Sequence, residues 1–217
     1  MFDTSAMVRK VNSLIKLCPK EKDFSCRLPS HDDALGVLTA AEYPLPMDKM
    51  KEAIASSNKE KIFKTSCRSY YRDISPEKVR EFFEKPDGPV SFTAHYEVNG
   101  NYFTRFVYSI HADWLKSSDW VLEKTYTLPG VKQTKGIGGY INDMRSFTIM
   151  VPLDANRTLR IFGGWNDIGG KLPMIGEIHA TYRDITKTMK DAEKDIREYF
   201  NVLNDTVASA PCKVANQ

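Results

Sequence analysis

Four histidines and four cysteines are the first groups to test for chemistry in these 217 residues. His31, His95, His111 and His179 show no HxxxH-type spacing. His111-Ala-Asp113 alone offers two neighbouring ligands, fewer than a zinc site uses. Cys18, Cys26, Cys67 and Cys212 form no CxxC pair, so zinc and thioredoxin-type redox chemistry are not expected. No flanking pattern makes Cys67 a nucleophile. Gly136-Ile137-Gly138-Gly139 lacks the full GxGxxG spacing and a helix after it, which argues against phosphate binding. No catalytic residue, metal ligand or cofactor is therefore assigned. The even cysteine count permits two disulfides as well as four thiols. Cys212, in the polar stretch ASAPCKVANQ, favours at least one disulfide and an exported setting over a cytoplasmic one.

The aromatic residues say more. Ten Tyr, eleven Phe and three Trp concentrate in predicted strands, where most of them serve as core. Tyr96, Tyr108, Tyr126 and Tyr182 differ, because each buried hydroxyl needs a partner. A cluster of inward tyrosines predicts an apolar pocket with a few polar anchors. Lys124 alternates with Trp120, Leu122, Tyr126 and Leu128 on what reads as an apolar face, where a charge is costly unless paired. Either that register is wrong and Lys124 is solvated, or it meets an acidic or phosphate group of a ligand.

These side chains need elements to position them. Residues 1–61 read as a helical and loop extension. Val8, Val11, Leu14 and Ile15 recur at helical spacing up to Pro19, a loop-like stretch follows, and a short helix carries Met47, Met50 and Ile54. From Ile62 a strand leads to Ser75, an N-cap, and Pro76, suited to a first helical position, with Val79, Phe82 and Phe83 on one face. Strict alternation from Val90 to Val98 predicts a half-buried strand, and Asn99-Gly100 a hairpin into residues 102–111. Further strands are expected over residues 120–128, 136–141, 146–152 and 158–165. A closing helix carries Ile178, Tyr182, Ile185, Met189, Ala192, Ile196 and Leu203 at three- and four-residue steps. That stripe suits either packing on the chain's own sheet or a coiled-coil seam with another chain. A polar tail, 206–217, ends the chain.

Composition narrows the partners. A net charge of +3, with basic residues scattered singly, gives no nucleic-acid signature. No run approaches the ~18–20 apolar residues of a membrane span, and the first residues lack signal-peptide order. Transient contact with anionic lipid stays open.

The element order is similar to the α+β helix-grip fold of the START-like lipid-transfer superfamily, which also holds plant hormone binders and polyketide cyclases. IFKTSCRSYYRDISPEKVREFF resembles the family's opening strand and short helix, and GGYINDMRSFTIMVPLDANRTLRIFG its late strand pair. Asn166-Asp167-Ile168-Gly169-Gly170-Lys171-Leu172-Pro173 resembles the Asp-Pro-Gly-Gly-x-Ile-Pro before the last helix, with Ile168 where the family has its first Pro. In this reading the two glycines turn the chain off the last strand and Pro173 opens the helix. The resemblance covers roughly residues 62 to 203. It implies a domain over 62–205, in which a curved antiparallel sheet of about seven strands wraps the long C-terminal helix. It also implies binding or transfer of a lipid, fatty acid, sterol or similar apolar ligand, with catalysis in only some members. The expected cavity is lined by Phe92, Tyr96, Phe106, Tyr108, Trp120, Lys124, Tyr126, Ile149, Ile161, Tyr182 and Met189. A polyketide-cyclase-like enzyme using the same cavity, and an interaction module with a filled core, are the alternatives.

Overall fold

In the computed structural model, residues 24–31, 34–56, 62–63, 67–84, 88–99, 105–117, 119–136, 138–172 and 176–208 are described. The expected helix around Val8 to Ile15, together with Cys18, Gly100, Pro173 and Cys212, lies outside them. Ten strands form one antiparallel sheet: β1 (Phe24–His31), β2 (Ala34–Tyr43), β3 (Cys67–Arg72), β4 (Val90–Asn99), β5 (Arg105–Ser117), β6 (Trp120–Thr127), β7 (Lys132–Lys135), β8 (Gly139–Asp154), β9 (Arg157–Leu172) and β10 (Gly176–His179). Their order is β1-β2-β9-β8-β6-β5-β4-β3, with β10 paired to β9 and β7 to β5. Among the described residues three helices accompany them: α1 (Met47–Ser56), α2 (Pro76–Glu84) and α3 (Tyr182–Ala208).

Local chemistry accounts for several of these elements. The backbone N–H of Lys78 donates to the Ser75 hydroxyl (3.3 Å), capping α2 so that Val79 and Phe82 are buried. Alternation builds β4, which pairs with β5 from Val90–Trp114 to Asn99–Arg105. Helix α3 starts at a reciprocal cap. The Thr181 N–H donates to the Asp184 carboxylate (3.0 Å), and the Asp184 N–H donates back to the Thr181 hydroxyl (3.3 Å).

Three expectations need correction. The stretch ahead of α1, read as helix and loop, contains β1 and β2, and β2 pairs with β9 from Leu35–Asn166 to Tyr43–Thr158. The sheet therefore crosses residue 61 and exceeds seven strands. β2 is buried along both faces, at Val37, Leu38, Thr39, Ala40 and Ala41, so it lacks the alternation that marks a half-exposed strand. Secondly, Gly169 and Gly170 do not turn the chain. They lie within β9, between β8 and β10. A Cβ at Gly169 would collide with the Ile178 carbonyl and the Tyr140 hydroxyl, so this glycine permits close packing. Thirdly, Ile178 belongs to β10 and is exposed, and α3 begins only at Tyr182.

The three helices pack on one face of the sheet, called inner below. Thr39 and Tyr43 of β2 both donate to Glu193 of α3. Ile196 and Phe200 join Tyr43, Met47, Met50, Val121 and Met150 in one cluster. Val79 and Phe82 of α2 join Phe92, Ala94, Ala112 and Trp114 in another. Burying a side chain such as Phe82 contributes ~1.5–3 kcal/mol. These two clusters close one end of the inner face.

Candidate functional site

Pairing register assigns each strand residue to a face, because side chains alternate and directly opposed residues share a side. From the closed end, one inner row runs Trp114, Glu123, Thr148, Phe162, Thr39 across β5, β6, β8, β9 and β2. The next runs Phe92, Ala112, Thr125, Ser146, Gly164, Val37. Tyr70, Tyr96 and Tyr108 stand side by side on β3, β4 and β5, with ring centroids 4.8 Å and 5.3 Å apart along the series. The inner face thus has an aromatic flank and a polar middle.

That middle is internally bonded. The Trp114 indole N–H donates to Glu123 (2.9 Å), and the Thr125 and Ser146 hydroxyls lie 2.7 Å apart. The Arg72 guanidinium sits over the rings of Phe92 (5.7 Å) and Trp114 (5.5 Å). Burial lowers its pKa, opposed by the nearby Tyr70 and Glu123. Opposite, Glu193 of α3 accepts from Arg160, Tyr43 and Thr39. Burial raises the phenol pKa of Tyr43, Tyr70, Tyr96 and Tyr108 above the ordinary range. At neutral pH these phenols can donate hydrogen bonds but do not release protons.

The eleven predicted lining residues divide between the two faces. Phe92, Tyr96, Phe106 and Tyr108 lie on the inner face. Tyr182 and Met189 are on α3 and half-buried, whereas their neighbour Ile185 is buried. Trp120, Lys124, Tyr126, Ile149 and Ile161 lie on the outer face, away from α3. The expectation that all eleven share a face is corrected for these five. The physical reason is that β6 turns its polar side inward, with Glu123 and Thr125, and its more apolar side outward. Lys124 stands opposite Asp113 on the outer face, where partial burial lowers its pKa and Asp113 opposes the shift. Sequence reasoning passed over Arg72, Glu123, Arg160 and Glu193. The signal available was a charge inside an apolar pattern, which for Glu193 interrupts the α3 stripe.

The remaining candidates sit elsewhere. His95 and His111 are on the outer face, bonded to Ser109 (2.8 Å) and Asp113 (3.1 Å). His179 on β10 is exposed and bonds Tyr140 (2.9 Å). Among the described residues no three His, Cys, Asp or Glu side chains converge as a metal site would require. Cys67 is buried, and its thiol donates to the Ser69 carbonyl (3.5 Å); Cys18 and Cys212 lie outside the described residues. No described helix is long and apolar enough to cross a membrane.

No family model and no curated relative matches the chain. Solved structures do. A STAR-related lipid transfer protein from Xanthomonas axonopodis superposes with a TM-score of 0.59 at 9% identity, over 85% of this chain and 97% of that one. Human STARD10 gives 0.57 at 9% identity, over 92% and 83%. The lipid transfer and protein localization domain of human StarD13 gives 0.54 at 7% identity, over 91% and 97%. Together with the antiparallel sheet and the C-terminal helix packed against it, these likenesses show that the chain has the START-like helix-grip fold.

Proposed function

We propose that this protein binds a mainly apolar, amphipathic small molecule or lipid between the inner face of the sheet and α3. One observation carries the reading. Tyr96 and Tyr108 are desolvated strongly enough to raise their phenol pKa, yet both keep accessible surface. So do Ile110, Thr125, Met144, Ser146 and Phe162 on the same face and Met189 on the helix. At the closed end, by contrast, Trp114, Val121 and Met150 are 2–4% exposed. Side chains that are withdrawn from bulk water but not packed solid are what a ligand space has for walls.

The energetics suit a carrier. Removing an acyl methylene from water contributes ~0.8 kcal/mol, so eight of them supply roughly 6 kcal/mol before ordering costs. The Thr125–Ser146 pair and Arg72 offer hydrogen bonds to a polar group of the ligand. A cyclase-type reaction needs a proton-transfer group near its working pH. The inner tyrosines are pushed away from it, and His95 and His111 face outward.

The test is titration with a fluorescent fatty acid and a fluorescent sterol. Tyr108→Trp, which fills the inner face, should weaken binding at least about tenfold, equivalent to ~1.4 kcal/mol. Tyr126→Trp, on the outer face, should leave it unchanged. Loss of binding in both variants alike, or no binding to the unaltered protein, defeats the proposal.

A further inference from the structure

Among the described residues, three side-chain atoms are buried without a hydrogen-bond partner: Arg105 Nε, Asn166 Nδ2 and Thr186 Oγ1. Arg105 lies on the outer side of β5, and its guanidinium pairs with Glu97 through Nη1 (3.4 Å). The other two belong to the inner face. Asn166 is 8% exposed and stands opposite Met144 of β8 and Leu35 of β2. Phe162, Gly164 and Asn166 alternate onto that side of β9. Thr186 precedes Met189 and Glu193 on the stripe of α3 that meets the sheet. Two contacts fix how α3 lies along β9. The Ala180 N–H donates to the Ile168 carbonyl (2.8 Å) just before the helix, and further along Glu193 accepts from Arg160. Thr186 falls midway between these anchors, and midway between their partners on β9 is Gly164, the inner neighbour of Asn166. Helical side chains lean towards the N-terminus, which turns Thr186 towards the Asn166 end.

Elsewhere on this face the chain satisfies its own polar groups, as Trp114 does with Glu123 and Thr125 with Ser146. Asn166 and Thr186 depart from that rule beside Met144, Ser146 and Met189, which keep accessible surface. A buried polar atom with no partner is costly, so its retention calls for an explanation. Resting on the ligand space inferred above, we propose that Asn166 and Thr186 form a subsite for a neutral hydroxyl, that of a long-chain or alicyclic alcohol. The ligand oxygen accepts from the Asn166 amide N–H, and its hydrogen is donated to Thr186 Oγ1. The surroundings select a hydroxyl over a carboxylate. Around Asn166 the inner side offers Met144, Leu35, Gly164 and Ile168, none of them charged. Arg160 is ~20 Å away along β9 and bonded to Glu193, and Arg72 stands on β3, the far edge strand. Arg183 and Lys187 flank Thr186 on α3 but are exposed. The start of α3 already holds the Asp184 carboxylate, which repels a second anion. A carboxylate in this subsite would be buried without a counter-charge.

The experiment titrates the full chain with diphenylhexatriene, a fluorescent rod without a polar group, and then displaces it with decan-1-ol or with decanoate. It compares the unaltered protein with Asn166→Leu and Thr186→Val. The unaltered protein should bind the alcohol at least about tenfold more tightly than the carboxylate. Each variant should lose about three- to tenfold in alcohol affinity relative to diphenylhexatriene, the effect of one buried hydrogen bond. Each should also melt no lower than the unaltered protein, because an apolar group of similar shape replaces an orphaned polar atom. If one variant fails to fold, the other carries the comparison. Equal affinity for alcohol and carboxylate, or unchanged alcohol affinity in the variants, overturns the subsite and leaves the apolar ligand space standing. So do variants that melt lower yet bind the alcohol as before, which would make the two atoms partners of a buried water. Failure of the unaltered protein to take up diphenylhexatriene or either decyl compound brings down the ligand space, and the subsite with it.

Discussion

On the inner face, β6 presents Val121, Glu123, Thr125 and Thr127; on the outer face the same strand presents Trp120, Leu122, Lys124 and Tyr126. The face under the long helix is the more polar of the two in this strand, and the face away from it the more apolar. β8 and β9 continue the pattern, with Ser146, Thr148 and Arg160 inward and Phe147, Ile149 and Ile161 outward. A face that must pack solid can be wholly apolar. One that must hold a molecule with a polar group needs partners for that group, since an unpaired buried hydroxyl or amide is costly. On the proposed reading the inner face can meet that need without becoming a solvated surface, because Trp114 bonds Glu123 and Thr125 bonds Ser146 across strands.

The comparison can be broken most decisively at the closed end of the inner face. Phe200 is 6% exposed, its ring edge-on to Tyr43 at 5.7 Å. Phe200→Ala should destabilise by ~3–5 kcal/mol in chemical denaturation. Met189→Ala, further along the same helix but half-buried, should cost clearly less. Equal losses would mean that the helix packs uniformly and leaves no ligand space beside Met189.

Glu193 gives the next effect. Glu193→Ala removes the acceptor shared by Arg160, Tyr43 and Thr39, leaving a guanidinium 14% exposed without its acid. Breaking a fully buried pair costs ~3–5 kcal/mol. With residual exposure of both partners, ~2–3 kcal/mol is expected here, and Glu193→Gln should recover part of it. If Glu193→Ala is neutral, the cluster does not hold α3 to β2 and β9.

On the outer face the sharpest probe is Gly163, where a Cβ would overlap the Phe147 ring. Gly163→Ala should cost ~1–3 kcal/mol, as overpacking does. It should leave ligand affinity unaltered, because the ring it displaces is on the far side of the sheet. An affinity change without a stability change would show that the faces are not independent.

Elements whose cause is local were legible in the sequence. Ser75-Pro76 specifies the start of α2 through one hydroxyl and one missing N–H, and the alternation of β4 needs no knowledge of its neighbours. β2 was not legible, since ALGVLTAAEY is buried on both sides and alternates with neither period. The inward direction of β6 was not legible either. Period-two alternation separates two faces but does not say which meets the helix, and the rule that the more apolar face is the inner one fails for this strand. Register through β4 and β5 decides it: Tyr96 and Tyr108 are paired and inward, and Trp114 opposite Glu123 carries that side across to β6. Four of the strand residues expected to line the cavity lie inward because β4 and β5 follow the simple rule. The five outward ones belong to β6, β8 and β9, which do not.

The smallest expected effect is at the exposed start of α3. Asp184 is held below its ordinary pKa, first by the Thr181 hydroxyl and then by the Thr181 backbone N–H. Its folded-state pKa is thus depressed relative to the unfolded chain. The stabilisation is present above the unfolded pKa of ~3.9 and is lost as pH falls through the lower folded value. Asp184→Ala should cost only ~0.5 kcal/mol at neutral pH, because the carboxylate is exposed and the helix gains most of its stability from Ile185, Ile196 and Phe200. Its difference from the unaltered protein should shrink below about pH 4. Hydrogen exchange near residues 182–186 is the sensitive readout: in the variant these amides should exchange faster at pH 7, while those around Ile196 keep their protection. If both regions loosen together, α3 responds as one rigid unit, and its two halves do not differ in how firmly the inner face holds them.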